Sequence, residues 1–257
     1  MATQYPDDFV AGIEWMWGEG FLSPGGADEV RALLDGVDLR DCRVLDVGSG
    51  LGAVDILLVA EHGAREVVGT EVEPQLIARA EQAVARRGLA ERIRFQLVSP
   101  GPFPFPDAAF DAVFSKDSMI HIPDKPALYA EVLRVLRPGG AFVASDWLYG
   151  GGAELSEAMT AWLEIVHLDF AMETPQNTAA ALSRAGFADV AVRDRNRWYL
   201  GEVQREIDCV SGANFARAVA ALGRETAEHR RRSSTIKKRV VERGELRPCH
   251  LRGRKPG

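Results

Sequence analysis

The chain has 257 residues, 46% of them hydrophobic and 26% charged, with a formal net charge of -6 at pH 7. That is enough chain to bury a full core as one elaborated α/β domain, and the acidic balance argues against general nucleic-acid affinity. Cys42, Cys209 and Cys249 are scattered, no run of 18 apolar residues occurs, and Met1–Asp8 holds no basic-then-apolar leader; a soluble, cytoplasmic protein without metal site or membrane partner is expected. In chain order, strands are predicted near 42–47, 65–70, 93–98, 110–115 and 141–146, and helices near 27–36, 51–62, 74–87 and 125–137. This alternation implies a Rossmann-like, doubly wound, mostly parallel sheet with helices on both faces.

Arg137-Pro138-Gly139-Gly140 ends a helix and turns the chain into the next strand, as Pro and Gly do. After Asp146 the rhythm changes. An inserted helix is expected at 153–173, a sheet helix at 176–185, a sixth strand at 187–195, a helical excursion at 202–243 and a last strand near 245–251. The domain reading is a single unit, 1–257, with an amino-terminal lid at 1–26 and inserted cap segments at 148–175 and 196–244. Charge is segregated, with residues 230–257 holding 11 Lys/Arg against 2 Asp/Glu. This basic stretch reads either as a solvated helix face or as a source of cations for an anionic ligand.

The stretch Val44-Leu45-Asp46-Val47-Gly48-Ser49-Gly50-Leu51-Gly52 is an apolar strand running into a glycine-dense turn, and Glu71 ends the next apolar run. A strand, a glycine turn, a helix and an acid about 20 residues on outline a ribose-binding βαβ unit. A dinucleotide turn reads G-x-G-x-x-G, whereas here the glycines fall at 48, 50 and 52. A nicotinamide dinucleotide and a cofactor-free tight turn remain the competing readings. In open α/β sheets the ligand lies beyond the carboxyl ends of the strands, so Asp46, Glu71, Ser99, Ser115 and Asp146 are expected to rim one cleft.

The glycine loop resembles the first motif of class I S-adenosylmethionine methyltransferases. The segments Phe114–Leu128, with Ser115-Lys116-Asp117 and His121, and Trp17–Gly26 are similar to the phosphoethanolamine N-methyltransferase family, from about Gln4 to the final strand. The Ser-(Lys/Arg)-Asp-x-x-x-His signature also recurs in sarcosine and dimethylglycine methyltransferases. The resemblance implies a seven-stranded class I methyltransferase fold and methyl transfer from S-adenosylmethionine to a small amine or zwitterion, by a monomer or weak homodimer. It places Tyr5 and His121 as the catalytic pair. Cofactor contacts fall on Ser23, Asp46, Gly48, Ser49, Gly50, Gly52, Glu71, Val72, Ser99, Pro100 and Lys116. Acceptor contacts fall on Gln4, Asp117, Trp147 and Arg232.

Two departures qualify it. Ser99 stands where the family has an aspartate near the adenine, and hydrogen-bonds less strongly than a carboxylate. Residues 164–170 lack the arginine and tyrosines that hold the phosphate, which leaves the Arg230–Arg232 run, with Arg232 foremost, as the replacement cation. Trp147, Trp15 and Trp17 could face a methylated cation; ordinary packing is the competing reading. His62, His167, His229 and His250 are read as structural. An altered anion pocket is therefore expected. The alternatives are a glycine-betaine-type or other small-metabolite N-, S- or O-methyltransferase, and a non-catalytic protein that only binds the cofactor.

Overall fold

The computed structural model describes residues 5–152, 154–167 and 170–257. Its strands are β1 (Arg43–Val47), β2 (Glu66–Glu71), β3 (Ile93–Leu97), β4 (Phe110–Lys116), β5 (Leu136–Tyr149), β6 (Ala188–Asp194) and β7 (Leu246–Arg254). They form one seven-stranded sheet in the order β3-β2-β1-β4-β5-β7-β6. The first five run parallel, while β7 lies antiparallel between β5 and β6. Successive residues of each inner strand serve opposite faces. Leu45, Val113 and Phe142 join one buried cluster, and their neighbours Val44, Ala112 and Val143 join the other. Burial on both faces is why these runs are mainly apolar.

The helices are α1 (Asp7–Trp17), α2 (Gly26–Leu33), α3 (Ala53–Ala60), α4 (Pro74–Arg86), α5 (Lys125–Val135), α6 (Glu157–Val166), α7 (Pro175–Ala185), α8 (Asn196–Cys209), α9 (Phe215–Leu222) and α10 (Arg224–Glu242). Asp124, Ser156 and Thr174 cap α5, α6 and α7 by accepting from Ala127, Met159 and Asn177 amides. The helix expected at 153–173 is shorter because Ser156 fixes its start and His167, at φ 51, leaves the helical region at its end. Strand β5 begins at Leu136, earlier than expected, and regains its pairing with β4 across a register shift between Phe110 and Ala112.

Met159 and Trp162 of α6, Tyr199 and Val203 of α8, and Val240 and Val241 of α10 share a third buried cluster. This helical layer stands over the carboxyl end of β5. Much of the basic carboxyl-terminal stretch is spent on structure. Arg252 donates to the Leu33 and Asp35 carbonyls at the end of α2, and Lys255 donates to Leu136 at 2.7 Å just beyond α5. Cations are favoured at helix carboxyl ends. No helix among the described residues is long and apolar enough to cross a membrane.

Candidate active site

The sheet reverses its winding between β1 and β4, and the loop after β1 opens there. Gly52 has φ 81, and a Cβ at that position would lie 2.9 Å from Phe95 Cζ. Only glycine meets both conditions without strain. Glu71, at the end of β2, ties this loop to its own: Oε2 accepts from the Gly50 amide at 3.0 Å, and Oε1 accepts from Val72 at 2.7 Å and Glu73 at 3.2 Å. The Gly48 and Ser49 amides donate to the Thr70 carbonyl. The loop is thereby held against β2, with the carboxylate beside it.

Three carboxylates are buried here. Asp46 Oδ1 and both Asp55 oxygens have no hydrogen-bond partner. Burial, with Asp55 and Glu71 nearby, pushes Asp46 well above its ordinary range; burial pushes Asp55 up to about 7 and raises Glu71 as well. Beside Glu71, Val72 is 52% exposed and Leu97, its neighbour's register partner on β3, is 55% exposed. Two large apolar side chains open to solvent at adjoining strand ends make a platform for a flat aromatic ring. Ser99 and Pro100 are exposed beyond the end of β3.

Lys116, at the end of β4, is buried and donates to Ser23 Oγ at 2.7 Å, the Pro24 carbonyl at 3.1 Å and Asp117 Oδ2 at 2.7 Å. The sequence-expected pair Ser23 and Lys116 is thus in direct contact. Asp117 has φ 56, and its other oxygen accepts from Ser145 Oγ at 2.7 Å. Next along the chain, Met119–His121 form one 3₁₀ turn. Asp146 pins that turn by accepting from the Ile120 amide at 2.9 Å, and Lys125 donates to the Met119 carbonyl. Burial pushes Asp146 up to about 7, against the opposing pull of Lys125.

From this rim a cleft of about 760 Å³ runs beneath α1, α6, α8 and α10. Tyr5, Asp117, His121 and Trp147 all line it. The Tyr5 hydroxyl lies 3.3 Å from His121 Nε2, and burial, with Glu71, Glu73 and Asp117 nearby, holds that hydroxyl above its ordinary range. Tyr5 therefore stays a neutral phenol. Trp147 meets Tyr199 edge to face at 4.6 Å, and Phe170 lies 5.5 Å from the His121 ring. Trp17 lines the cleft, whereas Trp15 packs against Val210, Ala218 and Ala227. Gln4 lies outside the described residues.

Residues 44–140 match the family model for a methyltransferase domain. The chain carries a methyltransferase domain. Phosphoethanolamine N-methyltransferase from Triticum aestivum is 32% identical to this chain over 207 residues, 80% of this chain and 40% of that protein. The chain thus spans about two fifths of the length of the curated relatives it matches. A solved structure of phosphoethanolamine N-methyltransferase 2 from Haemonchus contortus, in complex with S-adenosyl-L-methionine, superposes with a TM-score of 0.91 at 23% identity. It covers 99% of this chain and 58% of that one. A structure assigned as a sarcosine dimethylglycine methyltransferase from Galdieria sulphuraria gives a TM-score of 0.81 at 20% identity, covering 97% of each chain. The seven-stranded sheet is the class I methyltransferase fold.

The cleft beneath α10 corrects one expectation. Arg232 is exposed and is not among the residues lining the cleft. Arg230 is, donating to the Phe9 carbonyl at 2.7 Å with its guanidinium 5.5 Å over the Phe9 ring. Lys237, Glu206, Tyr199, His167 and His229 also line the cleft, and none was singled out as a site residue from sequence. A signal was present: Arg230, Ser234 and Lys237 recur at i, i+4 and i+7, one face of a helix, and Arg232 falls off that face. His250, read as structural, is buried and bonded to Glu29 at 2.7 Å.

Proposed function

We propose that this chain transfers the methyl group of S-adenosylmethionine to the nitrogen of a small amine or zwitterion, with an anion pocket unlike that of the phosphoethanolamine enzymes. The observation that carries the reading is the convergence of Tyr5, His121 and Asp117 on one cleft that is also lined by Leu22, which packs against the Gly50 turn. Asp46, Glu71, the Gly48–Gly52 loop, Val72, Leu97 and Lys116 with Ser23 would hold the cofactor, which supplies an electrophilic methyl on a sulfonium.

The chain's own residues must then do three things. An alkylammonium has a pKa of about 10, like lysine, so it must lose a proton before its lone pair can attack. Asp117 is placed to accept a hydrogen bond from that ammonium, and His121 to take the proton. The 3.3 Å contact between the Tyr5 hydroxyl and His121 Nε2 orients the ring and ties residue 5 over the cleft. Asp146 and Lys125 hold the turn that carries His121. Alignment in a closed site supplies the rest, since the reaction is an in-line displacement. We read 1–26, 148–175 and 196–244 as the segments that close it.

The test is release of S-adenosylhomocysteine across phosphoethanolamine, ethanolamine, glycine, sarcosine, dimethylglycine and simple biogenic amines. His121→Ala should lower kcat by about 100-fold or more, the usual share of general acid–base catalysis, while cofactor affinity stays unchanged. Cofactor binding without turnover of any acceptor would favour a non-catalytic binding protein, and unchanged turnover in His121→Ala would remove the histidine from the mechanism.

A further inference from the structure

The far wall of the cleft, on α8 and α10, contains a carboxylate with its own cation. Glu206 is 2% exposed, yet it lines the cleft. Lys237 Nζ lies 2.5 Å from Oε2, Ser234 Oγ donates to the same oxygen at 2.9 Å, and the Tyr199 hydroxyl reaches Oε1 at 3.4 Å. Both partners of the ion pair are withdrawn from solvent, with the lysine side chain 14% exposed and the glutamate 3%. Arg230, the other lysine or arginine that lines the cleft among the described residues, is already bonded to the Phe9 carbonyl.

We infer that Glu206 sets acceptor specificity by occupying Lys237, so that the acceptor carries an uncharged or cationic group at that end and not a phosphate. This rests on the amine-methyltransferase reading above. A phosphate dianion placed at Lys237 would compete with a carboxylate already bonded three ways, and would lie beside a second negative charge. Like charges brought together in a desolvated pocket cost several kcal/mol, and a buried ion pair is not opened without leaving one charge unpaired. A hydroxyl or ammonium at the same place meets the opposite situation, because carboxylate oxygens carry further lone pairs. The walls between Asp117 and Glu206 include Trp147 and Tyr199, faces that suit a short apolar or cationic body.

The experiment compares phosphoethanolamine with ethanolamine on wild type, Glu206→Gln and Glu206→Gln/Lys237→Met, all loaded with S-adenosylhomocysteine. Affinity is read by calorimetry and turnover by product release from S-adenosylmethionine. Glutamine keeps acceptor and donor positions for Tyr199 and Ser234 while removing the charge. Wild type should bind ethanolamine the more tightly, and Glu206→Gln should shift the affinity ratio toward phosphoethanolamine by about tenfold or more. That gain should vanish in the double variant. Tighter binding of phosphoethanolamine by wild type, or a ratio unchanged in Glu206→Gln of wild-type melting temperature, would overturn the inference. If Glu206→Gln melts well below wild type, Glu206→Asp supplies the decision: it keeps the charge and should keep the wild-type ratio, and a shift toward phosphoethanolamine would overturn the assignment. A ratio that shifts as expected in a protein that methylates neither amine would uphold Glu206 and sink the catalytic reading instead.

Discussion

Asp117→Asn isolates a buried charge without disturbing the backbone. The residue sits at φ 56, a left-handed conformation that asparagine tolerates nearly as well as aspartate. The wild-type carboxylate accepts from Lys116 Nζ and Ser145 Oγ, both at 2.7 Å, and the two ionic side chains are only 4% and 7% exposed. An amide can satisfy one donor with its oxygen but turns an N–H₂ toward the other. Lys116 is left with neutral acceptors at Ser23 and Pro24 and no countercharge. Removing one partner of a buried pair costs about 3–5 kcal/mol, and in a chain of this size each kcal/mol lowers Tm by about 2–4 °C, so the variant should melt about 6–20 °C below wild type. Thermal and urea melts at neutral pH read the loss. The Lys116→Met/Asp117→Asn double variant should regain part of it, because the stranded charge is gone. A single variant within about 2 °C of wild type, or a double-variant loss equal to the sum of the two single losses, would refute this account.

Glu71→Ala should weaken S-adenosylmethionine binding by about 100-fold or more, from loss of charge-assisted bonds worth about 1.5–3 kcal/mol each; unaltered affinity by calorimetry would exclude a ribose role. Asp55→Asn tests the buried carboxylates through pH. Burial raises the folded Asp55 from its ordinary 3.8 to about 7, so its neutral form stabilises the fold below the unfolded value, and that contribution is lost as pH rises toward the folded one. The melting advantage of Asp55→Asn over wild type should therefore be larger near pH 8 than near pH 5, and an advantage independent of pH would contradict the raised value.

The glycine loop and the strands around it were largely legible in the sequence because their signals are local. A parallel strand buried on both faces is an uninterrupted apolar run, and Gly52 marks a left-handed turn that no other residue fits. Strand ends put Asp46 and Glu71 near one rim by topology alone, whereas Lys116 was picked out only by the signature it shares with Ser115, Asp117 and His121. Leu97 was missed because an exposed leucine has no pattern of its own and acquires meaning only beside Val72. The α8–α10 wall of the cleft was less legible for a different reason. Glu206 and Lys237 lie 31 positions apart on helices rich in charged residues, and a charge on such a helix usually faces water. Their pairing depends on how α8 and α10 pack over β5. Arg232 illustrates the error: within the Arg230–Arg232 run, neighbouring residues are rotated about 100° around the helix, so adjacency in sequence put them on different faces.

The position of β7 bears on how this chain is made. Strand β6 has β7 as its sheet neighbour, so β6 emerges from the ribosome with its edge unpaired and stays so while α8, α9 and α10 are synthesised. Strands β1 to β5, with the glycine loop and Glu71, already form a contiguous parallel set by then. The half that carries the glycine loop can be ordered during translation, but the wall that holds Glu206 and Lys237 must wait for residues 246–254. Ribosome-bound intermediates stalled before β7 should therefore expose the apolar faces of α6 and α8, making that interval the one in which chaperones would engage the nascent chain.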